Sequence, residues 1–306
     1  LRALIQCIGL EGKKIQAYHI GFILAPCLNA SGKLDTAKRA LALLRAKTER
    51  EADMLAGDLK ALNESRRDMT DRVVDEAMAK VEQTDIREDK VLVIYLPDCH
   101  ESLAGLVAGR VRENYYRPVF VLTDSEDGVK GSGRSIESYS MYEELTGCGD
   151  LLTKFGGHPM AAGLSLDKEN VEKFKRRLND QCTLSEEELT EKVVIDMELP
   201  FTAITEHFIE ELECLEPFGK GNAKPVFAAR GVIMQHVKII GKNKNVAKAT
   251  AIDASGNRME AICFRDAQEF AEQCERNNGK MSITFYPGIN EFRGERQIQI
   301  VITHYR

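Results

Sequence analysis

The sequence predicts two kinds of fold in one chain: an α/β domain with a mainly parallel sheet, and a small all-β barrel of five strands. A long helix leads to the first and a connecting segment to the second. Three observations predict this. From Asp35 to Glu82 there is no proline and a single glycine, Gly57. Between Lys90 and Thr123 two apolar strand-like runs flank a helical stretch with small residues on one face. After Phe227 come three strand-like runs, a helical stretch and two further runs. The expected organisation is residues 1–34 as the tail of a preceding domain, 35–89 as a helical linker and 90–190 as the α/β domain. Residues 191–227 form the connecting segment and 228–306 the barrel.

Each element has a local cause. The chain opens on Leu1, and LRALIQCIGLEG reads as the middle of an apolar helix followed by a turn, so a piece of a longer protein is expected. APCLNASGKLDTA, 25–37, reads as a loop before a helix, with Asn29, Ser31, Gly32 and Lys33 able to meet an anion. Asp35 is the expected cap of TAKRALALLRAK. Thr48 and Glu51 form the expected capping box of a second, much longer helix, because a threonine oxygen three residues before a glutamate can satisfy orphan N–H groups. Leu55, Leu59, Leu62, Met69, Val73, Ala77 and Val81 follow helical spacing, and the stripe weakens around Asn63–Arg67. The remainder is charged, so this helix is expected to be partly exposed and to join two bodies.

KVLVIYLP, ESLAGLVAGRVRENY and RPVFVLT predict strand, helix and strand in a right-handed crossover with a parallel pair. A short helical stretch, a strand end at LSL and a helix capped near Asp167 complete this domain. LEPFGKGNAKPVF, 215–227, is rich in glycine and proline and reads as an ordered crossing loop. A helix placed between the third and fourth of five strands is the order of an OB barrel.

Composition narrows function without fixing it. The chain has 306 residues, 43% hydrophobic and 29% charged, ordinary for a globular protein. No apolar run approaches the roughly 18 residues of a bilayer-spanning helix, so no membrane partner is expected. Eight cysteines without any C-x-x-C pair read as reduced thiols of a cytoplasmic protein. The net charge of −6 hides a gradient: residues 189–227 carry 3 basic and 8 acidic side chains, residues 228–306 carry 12 and 8. Only the barrel segment has the sign of a nucleic-acid surface.

Two glycine-rich stretches are the candidate ligand sites. In FGGHPMAAG, 155–163, Gly156 and Gly157 allow close backbone approach, and Pro159 suits the first turn of a helix. A glycine pair leading into a helix N-terminus would offer N–H groups to an anion, with His158 at the junction as a hydrogen-bond or proton donor. The same residues also suit a tight turn. GSGRS, 131–135, reads as a flexible segment in which Ser132, Gly133 and Arg134 suit a phosphodiester, because a guanidinium binds it through two parallel hydrogen bonds. A solvated loop is the other reading, and the stretch lacks the G-x-G-x-x-G of a dinucleotide site. His100 stands at the carboxyl end of the first strand, where open α/β sheets place ligands. D-x-D, H-x-H, D-H-H and H-E-x-x-H patterns are all missing, so no two-metal phosphodiesterase centre is expected in these residues.

FGGHPMAAG resembles the GGHxxAAG motif of the DHH-associated domain in the DHH phosphoesterase superfamily. APCLNASGKLDTAKRAL resembles the P-R-[IL]-N-A-x-G-R-L segment of the RecJ family, and LEPFGKGNAKPVF resembles its L-x-P-F-G-x-G-N-x-x-P-x-F segment. GSGRS also matches, and CHESLAGLVAGRVRENYYRPVFVL is similar to the family's W-H-x-G-V-x-G-I-V-A-x-R-L stretch. These similarities run in family order over essentially the whole chain.

The resemblance implies the substrate-binding C-terminal part of a 5′→3′ single-stranded-DNA exonuclease of DNA repair and recombination. It implies Mn2+ or Mg2+ bound by a preceding DHH domain, with no metal held by the residues present here and no hydrolysis by this chain alone. Single-stranded DNA is the implied ligand, with a single-strand-binding protein and a recombination helicase as implied protein partners. By position, Ser132, Gly133 and Arg134 would hold the strand's terminal phosphate. His158 with the Gly156–Gly157 backbone would face the scissile region as the catalytic element. His100, Asn29 and Lys33 would line the same cleft. Cys27 stands where many members have arginine and Lys33 replaces a second, while CHESLAG lacks the usual tryptophan and the glycine two positions after His100. Two other readings remain: a DHH-family phosphodiesterase of short oligonucleotides or cyclic dinucleotides, which would lack the barrel, and a non-catalytic single-strand-binding protein.

Overall fold

A computed structural model describes residues 1–306 apart from Asp35, Lys220, Lys242, Asn243, Arg265 and Arg293, and apart from the side chains of Lys33, Leu34 and Phe292. The expected cap at Asp35 therefore lies outside the described residues. The chain divides into two compact units, Leu1–Glu191 and Lys192–Arg306.

Helices open the first unit: α1 (Arg2–Cys7), α2 (Ala17–His19), a π-helical stretch Ile20–Leu24, α3 (Ala25–Leu34), α4 (Lys38–Arg45) and the 35-residue α5 (Glu49–Gln83). Thr48 caps α5 as its spacing predicts, its hydroxyl accepting from the Glu51 N–H at 3.2 Å. The Glu51 carboxylate turns back to the Lys47 N–H, one residue earlier than a capping box requires. The first half of α5 buries Ala56 and Leu59 against Leu4, Leu24, Cys27 and Leu43. The second half buries Ala77 and Val81 against Ile94, Leu103 and Val107. Between these two apolar ends lies the polar stretch that the sequence pattern marks.

Residues 25–34, expected as a loop, form α3. Pro26 occupies the first turn, where its missing N–H costs nothing. Leu24, Cys27, Ala30 and Ser31 are buried at helical spacing, a face turned into the core with Ala56 and Leu59. Packing of that face overrides the turn character of Asn29, Ser31 and Gly32.

The sheet follows: β1 (Leu92–Tyr95), α6 (Glu101–Tyr115), β2 (Val119–Ser125), β3 (Gly128–Arg134), α7 (Met141–Gly147), β4 (Leu152–His158), β5 (Ala161–Leu166) and α8 (Val171–Gln181). The strand order is β1-β2-β3-β5-β4. Here the expectation of a mainly parallel sheet is corrected. The crossover through α6 makes β1 and β2 parallel, but β2–β3, β3–β5 and β4–β5 are antiparallel. Two-residue turns at Glu126–Asp127 and Pro159–Met160 permit only antiparallel neighbours. One sheet face packs Phe120, Leu122, Val129, Leu164 and Leu166 on Phe174 and Leu178 of α8. On the other face α6 and α5 cover Ile94, Val119 and Val121. The β3, β5 and β4 part of that second face stays open.

The second unit begins with β6 (Met197–Glu198) and α9 (Glu206–Glu213). It continues with β7 (Phe227–Ile240), β8 (Val246–Ile252), β9 (Arg258–Cys263), α10 (Ala267–Arg276), β10 (Lys280–Phe292) and β11 (Glu295–Tyr305). The five long strands close in the order β7-β8-β9-β11-β10 and back to β7, with β9 and β11 parallel. This is the OB arrangement that the element order predicts. Phe227, Phe285, Val232, Ala249 and Ile300 fill the interior, and α10 adds Phe270 and Cys274. In the segment 215–227 the Asn222 amide donates to the carbonyls of Leu215 and Pro217, at 2.8 and 3.1 Å.

Candidate functional site: an open glycine-floored sheet face

Side chains alternate along a strand, and strand register then fixes which of them share a row. On the open face three rows cross β3, β5 and β4. The first is Lys130, Ser165 and Lys154; the second is Ser132, Gly163 and Gly156; the third is Arg134, Ala161 and His158. Cations and His158 thus stand at the two ends of a middle strip with almost no side chain. A Cβ at Gly156 would meet nothing within 4 Å, and one at Gly163 would meet only the Gly131 carbonyl, at 3.9 Å. The bare floor is open space rather than packed space, and elongated ligand backbone can lie on it.

The other glycines of the two motifs serve packing. A Cβ on Gly133 would sit 2.3 Å from the Met141 sulfur and 2.7 Å from the Phe120 ring, and one on Gly131 2.4 Å from Leu122. GSGRS is therefore a central strand, not a flexible or solvated segment, because its glycines admit large core side chains on the buried face. Gly157, at φ 155°, has no room either: a Cβ would lie 2.4 Å from the Ala161 carbonyl oxygen. The expected helix N-terminus at Pro159 is likewise corrected. Gly156 to Gly163 form a β-hairpin whose tip is held by the Ser135 N–H on the Met160 carbonyl and the Met141 N–H on the Pro159 carbonyl, both at 3.0 Å. Small residues at 161–163 pair with β3, which a helix could not do.

One wall of the cleft is the start of α6. The buried Thr123 hydroxyl donates to the carbonyls of Pro97 and Cys99, clamping the β1–α6 loop to β2. That loop delivers His100 as the cap of α6: its Nδ1 accepts the Ser102 N–H at 3.3 Å and lies 2.8 Å from the Ser102 hydroxyl. A backbone donor requires Nδ1 to be unprotonated, so neutral His100 carries its proton on Nε2, as a donor. The positive end of the helix opens on the same space. Glu101, the next residue, pairs with Lys130 at 2.7 Å and joins wall to floor. Hydrogen bonding to Lys130 holds the Glu101 carboxyl below its usual value and raises the Lys130 ammonium. The cleft has a volume of about 670 Å3.

The predicted residues separate as follows. His100, Ser132 and Gly156 line the cleft. Arg134 has its root in the third row, and its guanidinium packs against Gly105 of α6. Burial and the nearby Arg112 lower its pKa. His158 lies at the exposed hairpin tip, on the floor's face but outside the cleft lining; Gly157 and Gly133 are structural. Asn29 is exposed on α3 and is not part of the cleft lining, and the Lys33 side chain lies outside the described residues, although Gly32 reaches the cleft. Sequence reasoning missed Lys130, Lys154, Glu101 and Ser165. Alternation in VKGSGR and TKFGGH carries the signal for both lysines, once the segments are read as strands.

Among the described residues no group of three or more His, Cys, Asp or Glu side chains is placed to hold a metal ion. The described residues do not fit a catalytic metal centre. No helix is long and apolar enough to cross a membrane.

Comparison with known proteins agrees with the two-unit reading. Residues 195–304 match the RecJ OB domain family and residues 88–184 match the DHHA1 domain family. The chain is 33% identical, over 99% of its length, to the single-stranded-DNA-specific exonuclease RecJ of Bacillus subtilis, of which it spans 38%. It superposes over its full length on RecJ from Thermus thermophilus crystallised with Mn2+, with a TM-score of 0.81, 25% identity and 43% of that chain covered. The same Thermus protein with Mg2+ gives 0.80 at 24% identity, a likeness of fold, with 46% covered. The chain thus spans less than half the length of these relatives.

Proposed function

The chain belongs to the RecJ family by its paired DHHA1 and OB domains, and from that premise we propose that it is the strand-holding portion of a 5′→3′ single-stranded-DNA exonuclease. In the whole protein a divalent ion, Mn2+ or Mg2+, would supply the activated water from residues outside this chain. The residues of this chain bind and orient. One observation carries the reading: the three in-register rows root Lys130 and Lys154 on one side of an open glycine strip and Arg134 and His158 on the other, which suits a phosphodiester backbone.

In this reading Lys130 and Lys154 fix successive phosphates, Ser132 donates a hydrogen bond at the floor, and Arg134, whose guanidinium lies beside Gly105 of α6, holds the strand's terminal phosphate. His100 presents Nε2–H from the wall. His158 faces the reacting phosphodiester from the hairpin tip and stabilises charge that grows in the transition state, so its loss in the full-length protein lowers kcat more than it raises KM. A hairpin-holding role would instead lower the melting temperature and leave kinetics per folded site unchanged. The chain alone binds single-stranded DNA in preference to duplex and does not hydrolyse it. Incubation with 5′-labelled single-stranded DNA and Mn2+ tests this; hydrolysis that survives repurification, or equal affinity for duplex, overturns it.

A further inference from the structure

In the barrel unit one lysine turns away from water. Lys224 lies in the segment before β7, and its Nζ stands 3.8 Å above the centroid of the Tyr286 ring and 5.8 Å from that of Phe218. Among the described residues it makes no hydrogen bond and no ion pair. The residue as a whole is exposed, yet burial of its ammonium lowers its pKa, against the opposing pull of Glu216. A ring face attracts a cation through its quadrupole, and that contact holds the ammonium here. Local structure delivers the lysine. Gly219 and Asn222 close a tight turn through paired backbone hydrogen bonds of 2.9 and 3.1 Å, and the Asn222 amide ties that turn to Leu215 and Pro217. On the other side Pro225 fixes its own φ, and Phe227 is buried at the root of β7. Lys224 therefore hangs from a short arm between two fixed points.

The ring that it covers belongs to an open stretch of the barrel's outer surface. Phe285 is fully buried, so alternation along β10 turns Tyr286 outward. Gly288 shares that outer face two positions on, and a Cβ there would meet nothing within 4 Å. Strand register sets Val301 of β11 beside Tyr286, and Ile262 of β9 beside Val301. The edge of Phe218 borders Tyr286, its centroid 6.1 Å away at 78°. Charge at this spot argues against phosphate. Burial, with the Glu216 and Glu213 carboxylates, pushes the Tyr286 hydroxyl up to about 12, so the ring stays a neutral phenol at neutral pH. Two carboxylates therefore stand against one ammonium. A nucleobase suits such a place better, since it brings an uncharged π face and needs only a ring and open space beside it. An ammonium on a ring and a base on a ring are held with comparable strength, so one can replace the other.

We propose that Lys224 is a latch on a nucleobase site: its ammonium closes the Tyr286 face in the free chain and yields that face to a base of single-stranded DNA, which spreads over the open position of Gly288. The proposal rests on the strand-holding reading above, and its test separates the two. The 306-residue chain, isotope-labelled at lysine Cε, is followed by NMR. The Lys224 ε-methylene protons lie over the ring and resonate upfield of ordinary lysine signals; Lys224→Ala removes the signal and so assigns it. The chain is then titrated with an oligodeoxythymidylate and with an abasic deoxyribose-phosphate oligomer of the same length, which has the same charge and no bases. The thymidylate returns the Lys224 signal to the ordinary lysine position, and the abasic oligomer leaves it upfield. Tyr286→Leu weakens binding of the thymidylate by about tenfold and leaves the abasic oligomer unaffected. Should Tyr286→Leu fail to fold, the Lys224 signal in the wild type decides alone. A signal that is not upfield in the free chain, that stays upfield under saturating thymidylate, or that the abasic oligomer moves equally, overturns the latch. In that case loss of abasic-oligomer binding in Lys130→Gln/Lys154→Gln leaves the strand-holding reading standing. Binding of neither oligomer by the wild type overturns both.

Discussion

The open sheet face and the barrel wall are both β surfaces, yet they show their purpose to different degrees. On the sheet face every residue of the three rows is a cation, a hydroxyl, a histidine or a residue without a side chain to speak of. Cations are almost never fully buried unless paired, so a strand that alternates lysine or arginine with core residues declares which face is outside. The barrel carries the aromatic residues that a stacking surface would use, but aromatics serve cores equally well. Phe285 is fully buried and Tyr305 stacks edgewise on Phe270 at 5.0 Å. Tyr286 sits half-buried with the Lys224 ammonium 3.8 Å above its ring, and the Phe292 side chain lies outside the described residues. A surface suited to phosphate is thus easier to read from residue types than one suited to base stacking.

The contrast can be broken most strongly at Phe285. Replacing it with alanine removes a side chain from the centre of the barrel and should cost about 3–5 kcal/mol, seen as a lowered denaturant midpoint. Binding that falls while stability holds would return Phe285 to the surface and remove the distinction.

A sharper test compares neighbouring glycines. Gly157→Ala forces a Cβ into the Ala161 carbonyl and should destabilise by about 2–3 kcal/mol, whereas Gly156→Ala should stay within about 0.5 kcal/mol of wild type. Gly156→Ala should nevertheless weaken oligonucleotide binding, because it roughens the floor. Equal stability of the two variants would show that the hairpin is not as described.

Smaller still is the effect at Lys154. Lys154→Gln should leave stability unchanged and reduce the salt slope of single-strand binding by about 0.7, whereas Lys238→Gln on the barrel tests whether that wall touches phosphate at all. An unchanged slope for Lys154→Gln would take the first row out of the interface.

The smallest expected effect is electrostatic. Glu101 has its carboxyl held down by Lys130, so the stability it lends is present at neutral pH and is lost as pH falls through its lowered folded value. In Lys130→Gln the Glu101 carboxyl should titrate back in the usual carboxylate range, read by NMR. A titration that does not move would disconnect wall from floor.

Some of this was legible in the residues alone. Thr48 as a cap, the strand–helix–strand crossover and the barrel order followed from hydroxyl position, period and sequence order. The weakened stripe at Asn63–Arg67 was also visible, and there Arg66 and Arg67 line a cavity between α5 and α6. What misled was glycine. GSGRS reads as a flexible anion-binding segment and FGGHPMAAG as a glycine pair entering a helix N-terminus, because the sequence does not say whether a glycine exists for φ, for close packing or for open space.

The sequence by itself determined the local periods, the caps and the family signature, since these depend on residues a few positions apart. Tertiary structure decided that 25–34 is a helix, that the sheet is mixed, and that Gly131 and Gly133 face Leu122 and Phe120 while Ser132 faces out. It also decided that Lys130, Lys154, Arg134 and His158 share one surface. Their rows are set by hydrogen-bond register between strands distant in the chain, and register is a property of the pairing rather than of any single strand.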